Sequence, residues 1–135
     1  MILKELFGKL AADSALAALL GATPGDPRIY PGMARPGCAA PFIVYRSLCP
    51  GAQADEISRA ETVVFEIFSE RFSNCLDISR RMAALLTTAD ETSLSGAGGP
   101  RIYRGALAGG SDFSDERNRH VRALTFHFSF IDSTL

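Results

Sequence analysis

The sequence has almost no net charge: 14 basic and 15 acidic side chains among 135 residues leave a formal charge of −1. A dedicated nucleic-acid binder advertises a basic excess, so that class is excluded, as is a polyacidic or polybasic surface module. Lysine is nearly missing. Only Lys4 and Lys9 occur, and the other twelve basic residues are arginines. A GC-biased genome writes that bias, although arginine's planar donor fork is also favoured at interfaces where lysine is depleted. Cysteine is scarce and odd in number (Cys38, Cys49, Cys75), without a C-x-x-C pair. Together with His120 and His127 it offers no zinc spacing. No charged leader with an apolar run and cleavage site opens the chain, and no apolar run approaches the roughly 18 residues of a membrane span. The expectation is an intracellular chain with free thiols and no membrane contact.

Catalytic signatures are missing as well. There is no G-x-S-x-G elbow and no phosphate-binding G-x-x-x-x-G-K-[ST] loop. The run Gly96-Ala97-Gly98-Gly99 precedes a predicted strand, whereas a dinucleotide fingerprint follows one and opens a helix. His127 falls between phenylalanines on the polar side of a strand and reads as a partly exposed structural histidine. His120 reads as solvated, and Cys75 as a core cysteine on an apolar helix stripe. These residues form no active site, so the expectation is a protein that is not an enzyme, with no cofactor and no metal.

What the chain does have is apolar substance. With 47% apolar and 21% charged residues it is no disordered tail, and its length fits one domain over residues 1–135. Residues 2–20 are helical in pattern. Leu3, Leu6, Phe7 and Leu10 form one stripe, and Leu16, Leu19 and Leu20 break its phase near Asp13 and Ser14. Either of those two can cap a second helix, which should end at Gly21 in a left-handed turn. Residues 21–41 are rich in proline and glycine and should be loop, with Arg28-Ile29-Tyr30 as an edge piece. Strands are predicted over 42–48 and 60–69, joined by a polar connection from Pro50 to Arg59. A helix over 74–87 carries the stripe Cys75, Ile78, Met82, Leu85 and Leu86, with Ser73 or Asn74 as its cap. After the breaker run Ser93 to Pro100, strands are predicted over 101–107 and 119–131, with Gly109 to Glu116 as an exposed hairpin loop. In the last strand Leu124, Phe126, Phe128 and Phe130 alternate with Thr125, His127 and Ser129.

This order implies an α+β fold of two layers: a mainly antiparallel sheet of four to five strands with two or three helices on one face. The other face would then carry Phe42, Val44 and Leu48 or Ile43 and Tyr45, plus Val64 and Phe68. Left uncovered, that much apolar area implies a partner. The tetrapeptide Pro-Arg-Ile-Tyr occurs twice, at 27–30 and 100–103, with unmatched flanks. Arg28 and Tyr30, like Arg101 and Tyr103, are interface-type residues at a strand opening.

Laid end to end, Leu19-Leu20-Gly21, then Arg28-Ile29-Tyr30-Pro31, then Ala40-Pro41-Phe42-Ile43-Val44-Tyr45 resembles the tail-completion (tail-terminator) proteins of long-tailed phages, prophages and gene transfer agents. The likeness continues through Val63 to Ser69, the helix Leu76 to Leu86 and the closing strand Thr125 to Ile131. It implies a structural virion protein at the tail–head junction, assembled in the host cytoplasm as a ring, commonly a hexamer. Such a ring caps the tail tube, ends its polymerisation and joins the head connector. The implied partners are further copies of itself, the major tail-tube protein and head-completion or connector proteins, with DNA only passing through the lumen. The alternatives are another neck component (head-closure or connector-adaptor protein) or a small-molecule-binding α+β domain.

A ring closes through two different, complementary surfaces. The acidic middle of the chain (Glu61, Glu66, Glu70) and its arginine-bearing flank (Arg101, Arg104, Arg119, Arg122) are candidates to pair across subunits, or the carboxylates line the lumen. Arg28, Tyr30, Tyr103 and the Asp112–Phe113 loop complete the candidate interface set.

Overall fold

The computed structural model describes residues 2–34, 37–53, 58–87 and 101–131. The Ser93–Pro100 breaker run lies outside the described residues, as does the middle of the Pro50–Arg59 connection. Two short helices, α1 (Leu3–Ala11) and α2 (Ser14–Leu20), open the chain, as the phase break requires. Asp13 makes the break stable: its side chain accepts the amide of Leu16 at 2.8 Å, capping α2. Gly21 ends α2 at φ 66, a left-handed position that glycine enters without a Cβ clash.

The sheet has five strands in the order β1-β2-β3-β5-β4: β1 (Ile29–Pro31), β2 (Phe42–Gln53), β3 (Ser58–Ser69), β4 (Arg101–Ser114) and β5 (His120–Ile131). It is mostly antiparallel, and only β1 runs parallel to its neighbour β2. A third helix, α3 (Phe72–Leu86), follows β3. The fold is therefore α+β, with three helices beside a mixed sheet. Alternation sorts the strand residues. Ile43, Tyr45, Val63, Phe65, Ile67, Ile102, Leu124, Phe126, Phe128 and Phe130 meet Leu6, Leu10, Leu16, Leu20, Cys75, Ile78, Met82 and Leu86 of the helices in one buried core. Each such phenylalanine contributes about 2–3 kcal/mol of burial.

Three expectations need correction. First, the strands are longer than their apolar patterns. The ladder carries β2 to Gln53 and starts β3 at Ser58, across two register shifts, so the expected Pro50–Arg59 loop is mostly strand. Likewise β4 continues through Gly109, Gly110 and Ser111 to Ser114, so the expected Gly109–Glu116 hairpin loop is also mostly strand. A bulge between Leu107 and Gly109 absorbs the glycines, and the turn is made later by Asp115. Its carboxylate accepts the amides of Arg117 at 3.0 Å and Arg119 at 2.9 Å. Second, α3 starts at Phe72, and its N-cap is Arg71 without a side-chain bond, not Ser73 or Asn74. Third, the far sheet face is covered in part: Leu48 and Phe113 stay exposed, but its other large apolar residues do not stand open. Tyr30, Phe42 and Val44 form a second buried cluster with Phe68, against which Ala34, Cys38 and Ala40 of the β1–β2 connection pack.

Candidate interaction surfaces

Three of the seven acidic and basic candidates, Glu66, Arg119 and Arg122, are paired within the chain. Glu66 and Arg46, neighbours on the far face, pair at 2.5 Å. Arg119 pairs with Asp115 at 2.8 Å, and its guanidinium lies over the rings of Phe42 and Phe68, 5.2 and 5.4 Å from their centroids. Burial alone would raise the Asp115 carboxyl, but the Arg119 amide and guanidinium and the Arg117 amide outweigh it and hold the group below its usual range. Arg122 faces Asp112 across the β4–β5 ladder at 3.5 Å.

Glu61 is buried without a pair. It sits on the helix-covered face opposite Phe128, is 1% exposed, and neither carboxylate oxygen has a hydrogen-bond partner. That position removes it from any open charge patch. Glu70, Arg101 and Arg104 are exposed and make no ion pair among the described residues.

The first Arg-Ile-Tyr is an internal fastening. Arg28 adopts φ 57, its amide donates to Asp26 Oδ1 at 3.0 Å, and its Nη1 donates to the Leu20 carbonyl at 3.1 Å. Tyr30 is 7% exposed; its hydroxyl donates to the Asp26 carboxylate at 2.9 Å and accepts from Cys38 Sγ at 3.1 Å. The second stands differently: Arg101 is exposed and Tyr103 half-buried at the start of an edge strand. Phe113, opposite Val121 on the far face, is 47% exposed.

The remaining chemical candidates, Cys75, His120 and His127, each have a local partner. Cys75 is buried, its thiol raised by burial and directed to the carbonyls of Ile67 at 3.6 Å and His120 at 3.7 Å. Nδ1 of His127 lies 2.9 Å from the Thr62 hydroxyl on the far face, and the His120 ring lies 5.8 Å from that of Phe72. Among the described residues no three His, Cys, Asp or Glu side chains gather at a common point, and no helix is long and apolar enough to cross a membrane.

Sequence reasoning did not find three features. Asp13 also receives Arg81 of α3, through Nε at 2.8 Å, which bolts α2 to α3; the Arg81 hydrogen bond first of all lowers its pKa to about 2. A cavity of about 320 Å³ lies between the β1–β2 connection and the β4–β5 turn, bordered by Cys38, Phe42, Asp115 and Arg119. An uncharged groove of about 550 Å³ lies between α1, α2 and the approach to β1. Its one legible trace in the sequence is the pair Pro24 and Pro27, which keep that approach irregular.

No family model matches the sequence, and no curated protein does. The fold, however, is similar to that of a chain in a solved structure described as the virion of a native gene transfer agent particle. The TM-score is 0.73 at 17% sequence identity, and the match covers 93% of this chain and 91% of that one. At that identity the likeness establishes a shared fold.

Proposed function

We propose that this chain is a structural subunit of a phage-like virion without catalytic activity, and more specifically a tail terminator: a ring that caps the tail tube and joins the head connector. The observation that carries this reading is the likeness over nearly the whole of both chains to a component of a gene transfer agent virion. It is supported by side chains that are spent on structure, with Cys75 in the core, Tyr30 in a fastening and Arg119 in an ion pair stacked on aromatics. In this reading the chain needs no cofactor, its partners are its own copies, the tube protein and the connector, and DNA only passes through the lumen.

The test is to add the purified chain to polymerising tail-tube subunits and measure tube lengths by electron microscopy. A terminator shortens the tubes and appears at their ends. Unchanged lengths together with binding to the portal complex would assign the chain to the connector side of the neck instead.

A further inference from the structure

We infer that the sheet face turned away from the helices contacts the phosphate backbone of double-stranded DNA through Arg101 and Arg104 of β4 and His127 of β5. The inference stands apart from the tail-terminator reading, because it rests on a local pattern of charge and not on ring closure.

The pattern begins with an irregularity. Residues three apart on a regular strand point to opposite faces. The register shift between Ile102 and Arg104 cancels that alternation, as a bulge does when it re-aims a side chain. Arg101 is matched to Ile131 and Arg104 to Ser129, which share the face opposite to the core residues Phe128 and Phe130. Both arginines therefore stand on one face, both are exposed, and neither makes an ion pair among the described residues. The next row on that face is Thr62–His127–Ala106. The Thr62 hydroxyl lies 2.9 Å from Nδ1 of His127, which fixes the exposed ring and leaves Nε2 without a partner among the described residues. The three rows hold no carboxylate on β3, β4 or β5. Glu61 is buried on the opposite face, and Glu66, further along β3, is held by Arg46.

These donors extend over three rows, about 13 Å along the strands, which is wider than one small anion. A chain of regularly repeated negative charges reaches all of them. Such a chain is offered by an acidic protein segment or by a nucleic acid. Protein contacts are anchored by large side chains in desolvated pockets, and none of the exposed large apolar residues belongs to these rows. Arginine forks standing among small residues such as Ser129 and Ala106 are instead the donors that position a duplex by its phosphates. Single strands are gripped by stacking on aromatic rings, and apart from His127 no matched residue of the three rows is aromatic. The duplex is therefore the favoured occupant. With a net charge of −1 over the whole chain, the contact is weak and salt-dependent.

The test is fluorescence anisotropy of a labelled short DNA duplex titrated with the full chain at rising salt. The wild type should bind at low salt. Arg101→Ser/Arg104→Ser should bind about tenfold more weakly and lower the slope of log K against log salt by about 2. Lys4→Ser/Arg80→Ser removes the same charge from exposed positions on the helices and should stay within about twofold of the wild type. Arg101→Lys/Arg104→Lys keeps the charge and should recover the slope, and circular dichroism verifies that all variants fold. Equal losses in the two serine variants would reduce the effect to net charge and overturn the inference. A lysine variant that binds no better than its serine counterpart would overturn it too. So would a wild type that does not bind the duplex at low salt, or that binds labelled polyglutamate or a DNA single strand as tightly. The tube-capping assay decides the terminator reading separately.

Discussion

The two edges of the sheet begin alike and end differently. Both β1 and β4 are reached through Arg-Ile-Tyr, and both isoleucines, Ile29 and Ile102, enter the same core. At the β1 edge the strand is three residues long and stops at Pro31, which has no amide to offer. Its arginine and tyrosine are turned inward, onto the Leu20 carbonyl and the Asp26 carboxylate. Such an edge is blunted against further pairing. At the β4 edge the strand is fourteen residues long, holds no proline or lysine, and leaves Leu107 and Phe113 exposed. The same tripeptide holds its arginine and tyrosine inward where Leu20 and Asp26 supply acceptors, and leaves its arginine exposed at the β4 edge.

The largest expected effect breaks this comparison within β4 itself. Gly105→Ala drives a Cβ into the Leu86 carbonyl and should cost about 3 kcal/mol or more, whereas Gly109→Ala meets nothing within 4 Å and should change stability by less than about 0.5 kcal/mol. Equal melting temperatures for the two variants would mean that the covered and free halves of β4 do not differ.

Glu61 comes next. A carboxylate buried without donors is costly, so Glu61→Met should raise the stability by about 2 kcal/mol, read as a shift in the urea midpoint. A loss would show that the carboxylate is compensated.

The two tyrosines sharpen the contrast between edges. Tyr30→Phe removes the hydroxyl that joins Asp26 to Cys38 and should cost about 1 kcal/mol, against less than about 0.5 kcal/mol for Tyr103→Phe. If the two cost the same, the fastening at β1 is not what distinguishes it.

The smallest effect is the α2–α3 bolt, because Arg81 is more than a third exposed and solvent screens the pair. The Asp13 carboxyl titrates at about 2 in the folded chain against 3.8 ordinarily. Its contribution is therefore complete above 3.8 and disappears as pH falls through 2. Urea midpoints taken between pH 5 and 2 should fall more steeply for the wild type than for Asp13→Asn; parallel curves would discard the bolt.

Much of the fold was legible because it follows local periods. The break between α1 and α2, the Gly21 cap, the α3 stripe and the alternation of Leu124 to Phe130 are all set by spacing. The strand ends were not legible. Gly109 and Gly110 read as loop because glycine has little intrinsic strand preference, but a ladder to β5 overrides that preference. Of the candidate surface, Phe113, Arg101, Arg104 and Glu70 are indeed exposed, while Glu61 and Tyr30 are inside. Nothing in a charge count distinguishes Glu61 from Glu70. Burial depends on which face of β3 the helices cover.

The sequence by itself determined where the helices and the apolar middles of the strands lie, since these follow residue periods along one chain. Only the tertiary structure decided that Arg28 and Tyr30 are tied down while Arg101 is exposed. It alone decided, too, that part of the far face is covered by the β1–β2 connection, and that Leu107 stands exposed on β4 beyond the reach of α3. Those outcomes depend on contacts between residues far apart in the chain, and no local period encodes them.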